Sequence, residues 1–192
     1  MRKKYLVGVC CAISSSVSSY LTYVYVQTPP PPVPPIATYA QTPPPPVPPI
    51  ATDVTSEDIT KFIDNLPRDR VSDRPIKSVE VTGDYRIGVY GVFRPKEFPG
   101  GSNLHQVNTT EIYYMLSGYA TLVTGGTMTE ARQENENWVR GTAIENGVSR
   151  RVVPGDVIVI PGHTPHWFSE LETDLSYLIF RPDPDNRIPL VD

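Results

Sequence analysis

Apolar and polar residues alternate along most of the chain beyond Pro75, and this period of two predicts β-strands. The predicted strands are Ile76–Thr82, Tyr85–Phe93, Leu104–Val107, Glu111–Leu116, Tyr119–Val123, Gly141–Glu145, Arg150–Val153, Asp156–Ile160, His166–Glu170 and Leu175–Phe180. Turn pairs punctuate them at Gly83-Asp84, Gly100-Gly101, Gly125-Gly126, Asn146-Gly147, Pro154-Gly155 and Pro161-Gly162. Many short strands with regularly spaced turns make this part all-β, a sandwich or a barrel. Thr127–Arg140 is polar and aperiodic and reads as a surface insertion, a candidate lid. One short stretch before the strands has helical spacing instead. Ile59, Phe62, Ile63 and Leu66 fall on one helical face, Thr55 is placed to cap it, and Pro67 ends it.

The first 52 residues follow neither period. Arg2-Lys3-Lys4 precedes 22 uncharged residues, Tyr5–Val26, which predict a signal peptide or membrane anchor over 1–26. Either reading exports the rest of the chain, secreted or anchored, with membrane contact only through this segment. Gln27–Thr38 and Gln41–Thr52 repeat the same twelve letters, QTPPPPVPPIAT. Proline fixes φ and removes the amide donor, so 27–52 is a proline-rich extended linker, on the order of 80 Å at ~3.1 Å per residue. The globular domain is then 53–192.

Charge narrows the partners. Beyond Thr52 there are 14 Lys and Arg against 21 Asp and Glu, and no basic stripe. Such a domain is a poor match for a phosphate backbone, which excludes nucleic-acid binding. The only cysteines are Cys10 and Cys11, so the domain has no disulfide framework and no thiolate site.

The remaining chemistry lies in three histidines, His105, His163 and His166, and the carboxylate Glu111. His105 and His166 stand at strand ends beside turns, with Glu111 opening the next apolar run. Imidazole and carboxylate ligands suit iron, manganese, nickel, cobalt or zinc. Tyr113 and Met115 share the parity of Glu111, and Phe168 that of His166, so all three line the interior. Tyr113 is a candidate to donate a proton or orient a substrate; Phe168 and Met115 are candidate pocket walls. Tyr114, Ile112 and Trp167 have the opposite parity and face outward. Arg94, Arg150 and Arg151 are possible anion contacts, with solvated surface positions as the default.

These residues resemble two motifs of the cupin superfamily. The first motif, G-x5-H-x-H-x3,4-E-x6-G, is matched by His105-Gln106-Val107-Asn108-Thr109-Thr110-Glu111 and Gly118. The second, G-x5-P-x-G-x2-H-x3-N, is matched from Gly155 through Pro161-Gly162-His163 to His166. Four positions depart. Val107 replaces the second histidine, the opening glycine falls at Gly100, His163 stands where glycine is usual, and Glu170 replaces the asparagine. Gly162 is expected to carry the turn, with His163 pointing outward. The resemblance implies a jelly-roll barrel of the RmlC-like type and a homodimer. It also implies one divalent transition metal, held here by His105, Glu111 and His166. The expected function is a metal-dependent enzyme of oxygenase, isomerase or lyase type acting on a small polar or phenolic molecule. The alternative is a non-catalytic binder of a small, sugar-like ligand.

Overall fold

The computed structural model describes residues 50–81 and 85–191, all within the compact unit Val47–Asp192. The expected signal peptide or membrane anchor lies outside the described residues, as do the Gly83-Asp84 turn and nearly all of the proline-rich repeats. Among the described residues no helix is long and apolar enough to cross a membrane.

Helix α1 (Ser56–Asp64) forms where expected. Thr55 accepts from the Asp58 amide, and Asp58 returns the bond to the Thr55 amide, a capping box that satisfies two donors the helix leaves open. Its apolar face, Ile63 with Ile59, Phe62 and the following Leu66, packs with Phe93.

Thirteen strands follow: β1 (Ser72–Val81), β2 (Tyr85–Arg94), β3 (Ser102–His105), β4 (Glu111–Ser117), β5 (Ala120–Thr124), β6 (Thr127–Thr129), β7 (Arg132–Asn135), β8 (Trp138–Gly141), β9 (Ala143–Glu145), β10 (Val148–Val152), β11 (Val157–Ile160), β12 (His166–Leu171) and β13 (Leu175–Asp183). One sheet has the order β1-β2-β13-β4-β11 and another β10-β5-β12-β3-β8-β7; β6 and β9 form a separate ribbon. Number β2, β3, β4, β5, β10, β11, β12 and β13 as strands one to eight. The sheets then read 1-8-3-6 and 2-7-4-5, all antiparallel, which is the strand order of a jelly roll. The fold is therefore all-β, the cupin-type barrel that the motifs imply.

Between the sheets lies one core, which includes Tyr113, Met115, Val92, Leu122, Phe168, Leu175, Tyr177 and Ile179, all nearly inaccessible. Alternation along β4 places Glu111, Tyr113 and Met115 inside, while Tyr114 faces out, as their parity predicts. Fully burying one such side chain contributes roughly 1.5–3 kcal/mol.

Three expectations are corrected. Thr127–Arg140 is no lid: it contains β6, β7 and most of β8, and β8 pairs along all of β3. Its polarity misled because β7 is exposed on every residue and so lacks an apolar face. Strand β3 runs from Ser102 to His105, so Val107 lies beyond the strand, in the turn, and is nonetheless buried. His163, not Gly162, takes the left-handed backbone, with φ at 62°. Gly162 is needed for a different reason: a Cβ there would lie 2.2 Å from the Val107 carbonyl oxygen.

Candidate metal centre

The two histidines come from the second sheet and the carboxylate from the first. His105 ends β3 and His166 begins β12, and the intervening turn is tied back where the His163 amide donates to the His105 carbonyl at 2.9 Å. The close passage of Gly162 over Val107 seats the same turn. Glu111 begins β4, whose partner Ile160 ends β11 just before Pro161. One corner of the barrel thus collects all three side chains.

Their ligand atoms all lie within 4.8 Å of one another. His105 Nε2 is 3.4 Å from Glu111 Oε1, and His166 Nε2 is 3.3 Å from Glu111 Oε2. The imidazole planes are nearly parallel, 5° apart with centroids at 5.5 Å. Glu111 and His166 are buried, whereas His105 is partly open, so the centre faces solvent on the His105 side. His163 is exposed and belongs to no such group, as expected.

Protonation follows from the surroundings. His166 Nδ1 lies 3.0 Å from the Thr164 carbonyl oxygen, which can only accept, so Nδ1 carries the hydrogen. Burial, assisted by His105 and opposed by Glu111, lowers the His166 pKa to about 4, so the ring is neutral near pH 7. Its Nε2 lone pair therefore points at a carboxylate oxygen. Burial alone would raise the Glu111 pKa. Arg181 foremost, with His105 and His166, outweighs burial and holds it well below the usual carboxylate range. Two lone pairs facing each other without a proton suit a shared cation, and the Thr164 bond is the kind of outer contact that orients a metal-binding imidazole. The donor set fits a divalent transition ion.

Sequence reasoning missed two groups here. Arg181 on β13 is buried, with Nε 2.8 Å and Nη2 2.7 Å from Glu111 Oε1, and it grips Asp73 Oδ2 at 2.7 Å on its other side. Only the parity of Tyr177, Ile179 and Arg181 along a long apolar strand could have signalled it. Trp138, on β8 directly opposite His105, sets its ring edge-on to that imidazole with centroids 5.2 Å apart. No local pattern marks it, because β8 is half-buried throughout and writes no period of two. Of the other expected residues, the Tyr113 hydroxyl donates to Glu111 Oε2 at 2.9 Å. Burial, then the Glu111 charge, pushes the Tyr113 pKa well above its usual value, so its proton stays. Phe168 stacks at 6.3 Å on Tyr113, and Met115 lies deeper in the core. Arg150 and Arg151 are exposed, on Asp156 and Glu172. Arg94 is buried, against the default.

No family model matches the sequence, and no curated protein matches it. Similar solved structures include the DMSP lyase DddQ of Ruegeria pomeroyi, at 22% identity over 64% of this chain and TM-score 0.40. The chain spans about half, 51%, of that lyase's length. An oxalate oxidase bound to the substrate analogue glycolate is similar at 18% identity over 66% of this chain and 57% of its own, TM-score 0.41. A protein of Bacillus halodurans is similar at 16% identity over 74% of this chain and 87% of its own, TM-score 0.44.

Proposed function

We propose that this chain is a metal-dependent cupin enzyme acting on a small polar or phenolic molecule. The observation that carries the reading is the neutral His166 Nε2 aimed at a charged Glu111 oxygen 3.3 Å away, an arrangement that a cation relieves. His105, Glu111 and His166 would hold the ion, leaving coordination positions for a ligand on the His105 side. A bound ion would supply Lewis-acid or oxygen-activating chemistry. The chain's own groups do the rest. Arg181 and the Tyr113 hydroxyl fix the Glu111 carboxylate from two directions. Trp138 walls the open side of His105. Phe168 closes the inner side over Tyr113, which retains its proton and can present it to a substrate only if Glu111 releases it.

The test is chelation of the purified protein followed by refilling with iron(II), manganese, nickel, cobalt or zinc, one at a time. One ion per chain is expected to bind, and His166→Ala and Glu111→Gln are expected to lose it. Absence of stoichiometric binding by any of the five overturns the reading.

One observation favours a second reading, a metal-free binding module for a sugar-like ligand. Glu111 already has a buried counter-ion in Arg181, so its charge is balanced without a metal. Export by the N-terminal segment, with the proline-rich stretch as a stalk, remains part of the proposal, and fractionation of tagged full-length protein tests it.

A further inference from the structure

Arg181 lies between two carboxylates that differ in place. Glu111 is buried at the metal centre, whereas Asp73 stands on β1, the edge strand of the first sheet, with its side chain 32% exposed. Strand register sets Asp73 in one row with Val92, Tyr177 and Met115, whose side chains fill the core, so its carboxylate reaches inward from the rim. Arg181 turns one edge of its fork to each partner. Nη1 and Nη2 face Asp73 Oδ1 and Oδ2 at 3.5 and 2.7 Å. Nε and Nη2 face a single Glu111 oxygen, Oε1, at 2.8 and 2.7 Å. The other oxygen, Oε2, accepts from the Tyr113 hydroxyl and is the one that His166 Nε2 faces at 3.3 Å. Each carboxylate oxygen has about two acceptor directions, so Oε2 keeps one open toward the imidazole.

The guanidinium that fixes Glu111 also works against a cation there. Its positive charge, 2.7 Å from the ligand carboxylate, repels the ion, and the interior screens that repulsion poorly. Asp73 offsets it. Burial would lower the Arg181 pKa, yet Asp73 foremost, and Glu111 after it, hold it well above its usual value. The charge of Asp73 also reaches Arg94, the second buried guanidinium. Asp183, the other buried carboxylate, is taken up by Thr109 and by the amides of Asp185 and Ile188. Among the described residues, Asp73 is thus the carboxylate that pairs with Arg181 without belonging to the ligand group.

We propose that Asp73 is a positioning residue for the metal centre. From the edge strand it anchors and neutralises Arg181, so that Arg181 can hold Glu111 by one oxygen without driving a cation off the other. This deepens the metal-dependent reading and rests on it.

The test is zinc titration by calorimetry on full-length protein stripped beforehand with a chelator. Asp73→Asn keeps the shape and removes the charge, and should weaken zinc binding about tenfold, as is usual for groups that act on a metal through its ligands. Asp73→Glu should restore most of the affinity. Arg181→Met should bind zinc at least as tightly as unmutated protein. Adding Asp73→Asn to Arg181→Met should then change the affinity by less than about threefold, because Asp73 acts through the guanidinium. A merely structural role for Asp73 predicts a loss in both backgrounds. Nuclear magnetic resonance of the Arg181 Nε–H in unmutated protein needs no variant to fold; its signal should shift on zinc loading and persist, since Nε stays on Oε1. The proposal is overturned by Asp73→Asn binding zinc as tightly as unmutated protein, by an equal loss when Arg181 is already Met, by weaker binding in Arg181→Met alone, or by disappearance of the Nε–H signal. Those results leave the metal centre standing; no zinc binding by unmutated protein ends the enzyme reading and this one with it.

Discussion

At the scale of single residues, Arg181 is the most exacting feature of the centre. It sits between two carboxylates, with the Tyr90 ring 4.0 Å from its Cζ, and leaves little room for water. Removing one member of a buried charge group strands the others, typically at a cost of about 3–5 kcal/mol. Arg181→Met should therefore lower the stability of metal-free protein by about that much in urea unfolding. A divalent ion should recover part of the loss, because it restores positive charge beside Glu111. An equal loss in loaded and stripped protein would show that the ion does not sit there. His105, Glu111 and His166 were legible in the sequence because motif spacing tracks strand ends. Arg181 was not, and neither was the burial of Arg94, which the sequence names only as a possible anion contact at the surface; both depend on long-range packing, Arg94 lying 83 residues from Tyr177 and Arg181 108 from Asp73. A basic residue at a strand end reads as surface until the opposing sheet is in place.

At the scale of elements, the turn from Pro161 to His163 determines how well the centre is formed. Gly162→Ala would push a methyl group into the Val107 carbonyl, 2.2 Å away, and shift the end of β3 that carries His105. The expected result is a loss of about 2 kcal/mol together with weakened metal binding. Gly125→Ala is the control. Its backbone is left-handed, at φ 72°, but nothing lies within 4 Å of the added carbon, so it should cost about 1–2 kcal/mol and leave metal affinity unchanged. Thermal melts and metal titrations on the two variants check this. Most strands were readable from alternation and turn residues, with ends displaced by at most two positions except that β1 starts four residues earlier and β13 ends three residues later than expected. Strands β7 and β8 were not, because β7 is exposed throughout and β8 half-buried throughout, so neither writes a period of two. Strand β1 was readable from Ile76 onward but not over Ser72–Pro75, because Pro75 sits at a register shift, tolerable where β1 forms the sheet edge.

At the scale of the whole molecule, strand β11 forms the other edge of the first sheet and presents Val157 and Val159, each 60% exposed, beside the outward Tyr114 and Ile112. An apolar row on an open edge suits an isologous pairing with a second copy, the homodimer that the cupin resemblance implies. Light scattering should give about twice the chain mass of 21.3 kDa, and Val157→Glu with Val159→Glu should halve it. A monomeric unmutated protein would refute the pairing.

The centre also spans the seam of the barrel, with two imidazoles on one sheet and the carboxylate on the other. An ion gripped there would rivet the two walls together at one corner, so that prying them apart means first surrendering the ion. Amide hydrogen exchange in β3, β4 and the start of β12 should slow together on loading, while α1, remote from the rivet, should exchange as before.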